Sequence, residues 1–299
     1  MRAPLLHAVE DLDIFTPLGL RFWDSALDRA IDDGLRVIAR PWHSIDREIV
    51  ASRNRSGVHT FRWLPGMRAV EYHQPDPDFF DASIPRRRAF VVTVEDDRDR
   101  FLPAAFRVDL PLPYRGIFLA ESDASTPDGS RRGVYLFSAP TRRVDERLTA
   151  VRGTLADADS RAPIPWAHVI VRAPHQRRYH GLADERGRFV VMFPYPSLAE
   201  GFEGSPGSFG HGTPIGARGW DITVEVRSQP GVLRPLPGTT LPEYRSIFDQ
   251  FEAGLWSSIP DPSALPEARL SLHLPFGQQL TIRTHTLSVQ LMTPAAGSP

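Results

Sequence analysis

Apolar and polar positions alternate over short distances along most of the chain, with a period of two. Trp220-Asp221-Ile222-Thr223-Val224-Glu225-Val226 predicts a strand that buries Trp220, Ile222, Val224 and Val226 on one face. RLTAVRGTLAD (147–157), AHVIVRA (167–173) and the apolar run 189–193 read as further strands, and Asp157-Ala158-Asp159-Ser160 and Asp184-Glu185-Arg186-Gly187 read as turns. Upstream, AFVVTVEDD (89–97) and FRVDLPLP (106–113) are the clearest strands, while Phe22, Ala26, Leu27 and Ala30 allow a brief helix over 22–33. One stretch changes period. Thr240-Leu241-Pro242-Glu243 reads as a capping box with an early proline, and Tyr244, Ile247, Phe248, Phe251 and Leu255 recur at helical spacing, which predicts an amphipathic helix. Beyond it, ARLSLHL and QQLTIRTHTLSVQLM flank Pro275-Phe276-Gly277 and predict a C-terminal β-hairpin.

Composition narrows the class. The 299 residues are 41% hydrophobic, enough to build a core, and the 29 prolines disfavour long helices and parallel α/β architecture. With no cysteine, disulfide scaffolds, Cys-ligated metals and cysteine nucleophiles are excluded. The formal net charge of −1 removes the global electrostatic argument for nucleic acid as a partner. No stretch of roughly 20 residues is free of charge and proline, so no membrane span is expected. The first residues, broken by Pro4, His7 and Glu10, do not form a signal-peptide core, and the expected location is the cytoplasm, with release by a route other than a cleaved signal as the alternative.

The expected fold is mainly β: two antiparallel β-sandwich modules plus one amphipathic helix and the C-terminal β-hairpin. The expected domains are an N-terminal β module at 1–114, a linker or extended arm at 115–146, a sandwich at 147–228, and the helix with its strand pair at 229–299. Within the arm, Val134-Tyr135-Leu136-Phe137 forms an apolar island suited to adding a strand to a neighbouring sheet. The string VRGTLADADSRAPIPWAHVIV…GLADERGRFVV resembles the carboxypeptidase regulatory-like, or prealbumin-like, β-sandwich module. Gly153, Asp157, Pro165, Ala167, Val169, Val171, Asp184, Gly187 and Phe189 carry that resemblance, which implies a fold and leaves function open. A degenerate second copy, with 31–39 laid over 164–172, is the corresponding reading of the N-terminal module.

Candidate chemistry is sparse. A metal site would need His168, His175 and His180 to converge with Asp184, yet no recognised ligand spacing links them, and they read as turn and surface residues. Gly207-Ser208-Phe209-Gly210 lies in a glycine-rich loop and not on a nucleophile elbow, so no catalytic residue and no cofactor is expected. The arginine clusters Arg86-Arg87-Arg88, Arg131-Arg132, Arg142-Arg143 and Arg177-Arg178 suit bidentate contacts with partner carboxylates, a solvated surface being the other reading. Six tryptophans suit a core, with a sugar platform as the alternative.

Over nearly its whole length the chain also resembles proteins encoded in bacterial contractile injection system clusters, the phage-tail-like particles. That resemblance implies a non-enzymatic assembly subunit, in a baseplate or other terminal part, with baseplate, tube or sheath proteins as partners. The expected contact residues are the arginines above, the island Val134, Tyr135, Leu136 and Phe137, and Phe248 and Phe251 of the predicted helix. The alternative is a carbohydrate- or surface-binding β-sandwich protein.

Overall fold

The computed structural model describes residues 16–44, 46–71, 87–112, 117–118, 133–174, 177–196, 219–260 and 265–295. Strands dominate. Ile49–Val50, Leu35–Pro41, Arg88–Asp96 and Ala104–Leu110 form, in that order, an antiparallel sheet with Val37 opposite Val94 and Phe90 opposite Val108. Its Phe90, Val92 and Val94 face a core completed by Leu20, Phe22 and Phe61. Two three-stranded sheets line the far side of this core. One joins Gly19–Leu20, His59–Thr60 and Ser52–Arg53, and the other joins Val134–Leu136, Phe22–Asp24 and Arg29–Ala30. The brief helix allowed over 22–33 does not form, because Phe22 sits in a strand and is fully buried.

The second module is a two-sheet sandwich. Arg178–Leu182, His168–Arg172, Gly219–Arg227 and Leu270–Pro275 make one antiparallel sheet. The other contains Arg188–Pro194 and Leu148–Asp157, with Leu280–Ile282 and Gln290–Thr293 running parallel to the latter. Val151, Val169, Val191, Val224, Leu274 and Met292 meet between them. The motif residues have physical reasons. Gly153 lies opposite Phe189, and a Cβ there would stand 2.7 Å from the Phe189 ring. Gly187 takes φ +73° in the turn that Asp184 closes by accepting from the Arg186 and Arg188 amides. Ile222, Val224 and Val226 are buried as the alternation predicts, while Trp220 is half-buried against Tyr195 and Phe276.

The predicted amphipathic helix is not formed. Only one 3-10 turn, Tyr244–Ile247, is helical there, and the Glu243 side chain makes no capping hydrogen bond. The stripe divides because it serves two cores and solvent: Tyr244 and Ile247 enter the N-terminal core, Leu255 enters the sandwich core, and Phe251 is 61% exposed. A continuous helix would hold all of these on one face. Gln250, buried where the turn ends, donates to the Trp166 and Ile247 carbonyl oxygens and accepts from the Gln229 amide.

The predicted C-terminal hairpin is also absent. Leu270–Pro275 pairs with Gly219–Arg227 in one sheet, and Leu280–Ile282 pairs with Leu148–Asp157 in the other. The turn between them crosses the sandwich, since Leu274 and Ile282 face the same core from opposite sheets. Among the described residues no helix is long and apolar enough to cross a membrane.

Candidate protein-contact surfaces

The residues singled out in the sequence separate sharply. Val134 and Leu136 form a strand parallel to Phe22–Asp24, buried with Phe137 in the chain's own core, so the island's added strand is made within the chain. Tyr135 is half-buried, and its carbonyl oxygen accepts from the Tyr244 hydroxyl. Arg142 is internal as well: its Nη2 sits 2.5 Å from Asp24 Oδ2, its Nη1 donates to Ser138 Oγ, and its guanidinium lies 4.8 Å from the Phe101 ring centre. Asp24 Oδ1 also accepts from the amides of Ala26 and Leu27, so the pair fixes a turn. Arg143 is exposed, Phe248 is half-buried against the N-terminal core, and Arg86, Arg131 and Arg132 lie outside the described residues.

Arg87 and Arg88 stand together at an open basin of about 610 Å³. Its walls come from the turn after Leu35–Pro41, with Trp42 and His43, from Pro65, and from the adjoining strands, with Arg107 and Asp109. The ladder places Trp42, whose amide donates to the Ala89 carbonyl at 2.9 Å. The Arg107 guanidinium lies 4.9 Å from the Trp42 ring centre and donates to Asp109 Oδ1. Gly66, at φ +75°, makes room for the Arg88 guanidinium, which would stand 2.3 Å from a Cβ at that position. Among the described residues that line the basin, three arginines thus stand with one carboxylate. Two residues before Pro65, Trp63 is 63% exposed at φ +64°, and Glu71 Oε1 holds its amide at 2.8 Å. Sequence reasoning found Arg87 and Arg88 as a cluster but missed Trp42 and Arg107. Only the pairing of Leu35–Pro41 with Arg88–Asp96 and of Arg88–Asp96 with Ala104–Leu110 brings them beside those arginines.

On the sandwich, His168 Nε2 and His180 Nδ1 lie 2.9 Å apart with their rings stacked. His168 is fully buried, and burial, then the neighbouring His180 and Arg227, push its pKa well below the usual imidazole value. His175 lies outside the described residues, and Asp184 is held by Arg188. Among the described residues no group of three His, Asp or Glu side chains converges as a metal site.

Glu225, unforeseen from the sequence, is fully buried with Arg172 at 2.7 Å, Arg227 at 3.0 Å and Arg269 at 3.4 Å. Burial opposes its charge, but the hydrogen bonds from Arg172 and Arg227 outweigh it and hold the carboxyl below its ordinary pKa. Strict alternation would put Glu225 in water. Its face is instead covered, and Arg172 reaches it from a position diagonal in the ladder.

No family model and no curated protein sequence matches the chain. Solved structures similar to it include the shaft pilin SpaA of Lactobacillus rhamnosus GG, at 12% identity and a TM-score of 0.25 over 94% of this chain and 98% of that one. They also include BcpA, the major pilin subunit of Bacillus cereus, at 7% and 0.25 over 89% of this chain and 58% of that one. The Bacillus anthracis TIE protein gives 9% and 0.23 over 91% of this chain, which spans only 33% of that protein. At such scores the likeness carries no functional argument, and the β-sandwich assignment rests on the strand pairing above.

Proposed function

We propose that the chain is a non-enzymatic assembly subunit that acts through protein–protein contacts, with the arginine-lined basin as a docking face for a carboxylate-bearing segment of a neighbouring subunit. The observation that carries this reading is the gathering of Arg87, Arg88 and Arg107 beside Trp42, with one acidic side chain, Asp109, among the described residues of the basin. Tryptophan and arginine are the residue types in which interface energy concentrates, and guanidinium forks bind carboxylates in a bidentate manner. A sugar platform fits the basin less well, since one face of Trp42 is already stacked by Arg107.

The assembly we favour is a contractile phage-tail-like particle, on the strength of the sequence resemblance, with the chain made in the cytoplasm and joined there to baseplate, tube or sheath proteins. Affinity purification of the tagged chain from its native host, with electron microscopy of the eluate, tests both levels. Tail-like particles recovered with wild type and lost with Arg87→Glu/Arg88→Glu are the expected result. Another assembly recovered in their place, with the same sensitivity, would replace the particle and keep the docking face. Recovery of the lone chain would overturn the assembly reading.

A further inference from the structure

We propose that the seam between the N-terminal core and the sandwich is a binding site for a small aromatic carboxylate. A pocket of about 230 Å³ opens there, walled by Tyr135, Phe137, Tyr244 and Phe248 on one side and by Tyr179 and His180 on the other. An apolar cavity of about 150 Å³ is known to accept benzene, so this one has room for a single ring carrying a short acidic arm.

The walls select for a ring. Phe137, Tyr244 and Phe248 contact one another in tilted and edge-on geometry with centroids 5.3 to 6.0 Å apart, the arrangement in which a further aromatic ring packs favourably. The rim selects for an anion. Among the described residues that line the pocket, Arg177 and Arg178 stand with one acidic side chain, Asp28, whose Oδ1 already accepts from Trp23 Nε1 at 3.0 Å.

His168 Nδ1 is buried without a partner, so the tautomer that donates Nε2–H to His180 Nδ1 leaves a bare lone pair inside, whereas the opposite one would bury an unpaired N–H. His180, held by its neighbour, then carries its proton on Nε2. Because the walls come from both units, an occupant bridges them, and the folded chain gains stability with its concentration.

The probe is phenylacetate, with phenylacetamide as its uncharged counterpart, added to the full chain and followed by calorimetry and saturation-transfer NMR. Wild type is expected to bind phenylacetate saturably and the amide more weakly, with a rise in unfolding temperature. Arg178→Gln, at an exposed position, should weaken binding about tenfold. Ser25→Trp, on the exposed turn at the mouth, should abolish it. Both variants should keep the wild-type unfolding temperature without ligand. No transfer to wild type would overturn the site. So would binding that both variants retain in full.

Discussion

The Tyr244 hydroxyl donates to the Tyr135 carbonyl oxygen across 2.6 Å and so joins segments 109 residues apart. The phenol is fully buried, and burial, then the neighbouring Tyr135, raises its pKa far above the ordinary value, so it stays a donor throughout the working range of pH. The segment the sequence presents as an amphipathic helix in need of a partner surface is thereby anchored in cis, in the chain's own N-terminal core.

Tyr244→Phe should cost about 1 to 3 kcal/mol, because it leaves the Tyr135 carbonyl with one partner fewer in a buried setting. Tyr244→Ala should cost about 3 to 5 kcal/mol through the added cavity. Urea denaturation of the two variants reads the difference. Wild-type stability in both would mean that the segment does not dock there.

The Asp24–Arg142 pair is buried at both ends, so truncating one partner strands a charge. Arg142→Ala should destabilise by about 3 to 5 kcal/mol, whereas Arg143→Ala, one residue along and exposed, should stay within about 0.5 kcal/mol. An Asp24→Asn/Arg142→Met double variant, which keeps an oxygen acceptor for the Ala26 and Leu27 amides, should recover part of the loss, which denaturant midpoints will reveal. Equal effects at positions 142 and 143 would contradict the buried pair.

Acid should weaken the fold in two stages. Burial, then the Arg53 charge, lowers the His59 pKa to about 4, and His168 is lowered as well. Above the unfolded value of roughly 6.5 both are neutral in either state and their full contribution is present. As pH falls from there toward the folded value, the unfolded chain takes up protons that the folded chain refuses, at up to about 1.4 kcal/mol per pH unit for each histidine. Glu225 acts lower down: its contribution is present above the unfolded carboxyl pKa of about 4.3 and is lost as pH drops toward its depressed folded value. Chemical denaturation between neutral pH and the carboxylate range should show both slopes, and His59→Phe should flatten the upper one. An unchanged upper slope in that variant would remove His59 from the account.

The strands of the sandwich were legible because their side chains meet one core, and the turn residues Asp157, Asp184 and Gly187 act within a few residues of themselves. The helix over 240–255 was misread for the complementary reason. Tyr244, Phe251 and Leu255 recur at helical spacing, yet their destinations are the N-terminal core, solvent and the sandwich core. Likewise, the island Val134–Phe137 and Arg142 look like contact residues until the chain itself supplies Phe22 and Asp24 as their partners. Of the basin, the sequence marks the arginine run but not Trp42 or Arg107, which arrive through strand pairing.

Two kinds of information therefore separate. The period-two pattern, the prolines and the turn residues determined by themselves that the protein is mainly β, since these act through local backbone preference and the alternation of faces; the prealbumin-like sandwich entered only as what the resemblance of the 151–191 motif implies. The tertiary structure alone decided which apolar and charged residues are satisfied internally, which sheet each C-terminal strand joins, and where Arg87, Arg88 and Arg107 gather. Those outcomes depend on contacts across a hundred residues, and no window of sequence encodes the face that a distant segment will cover.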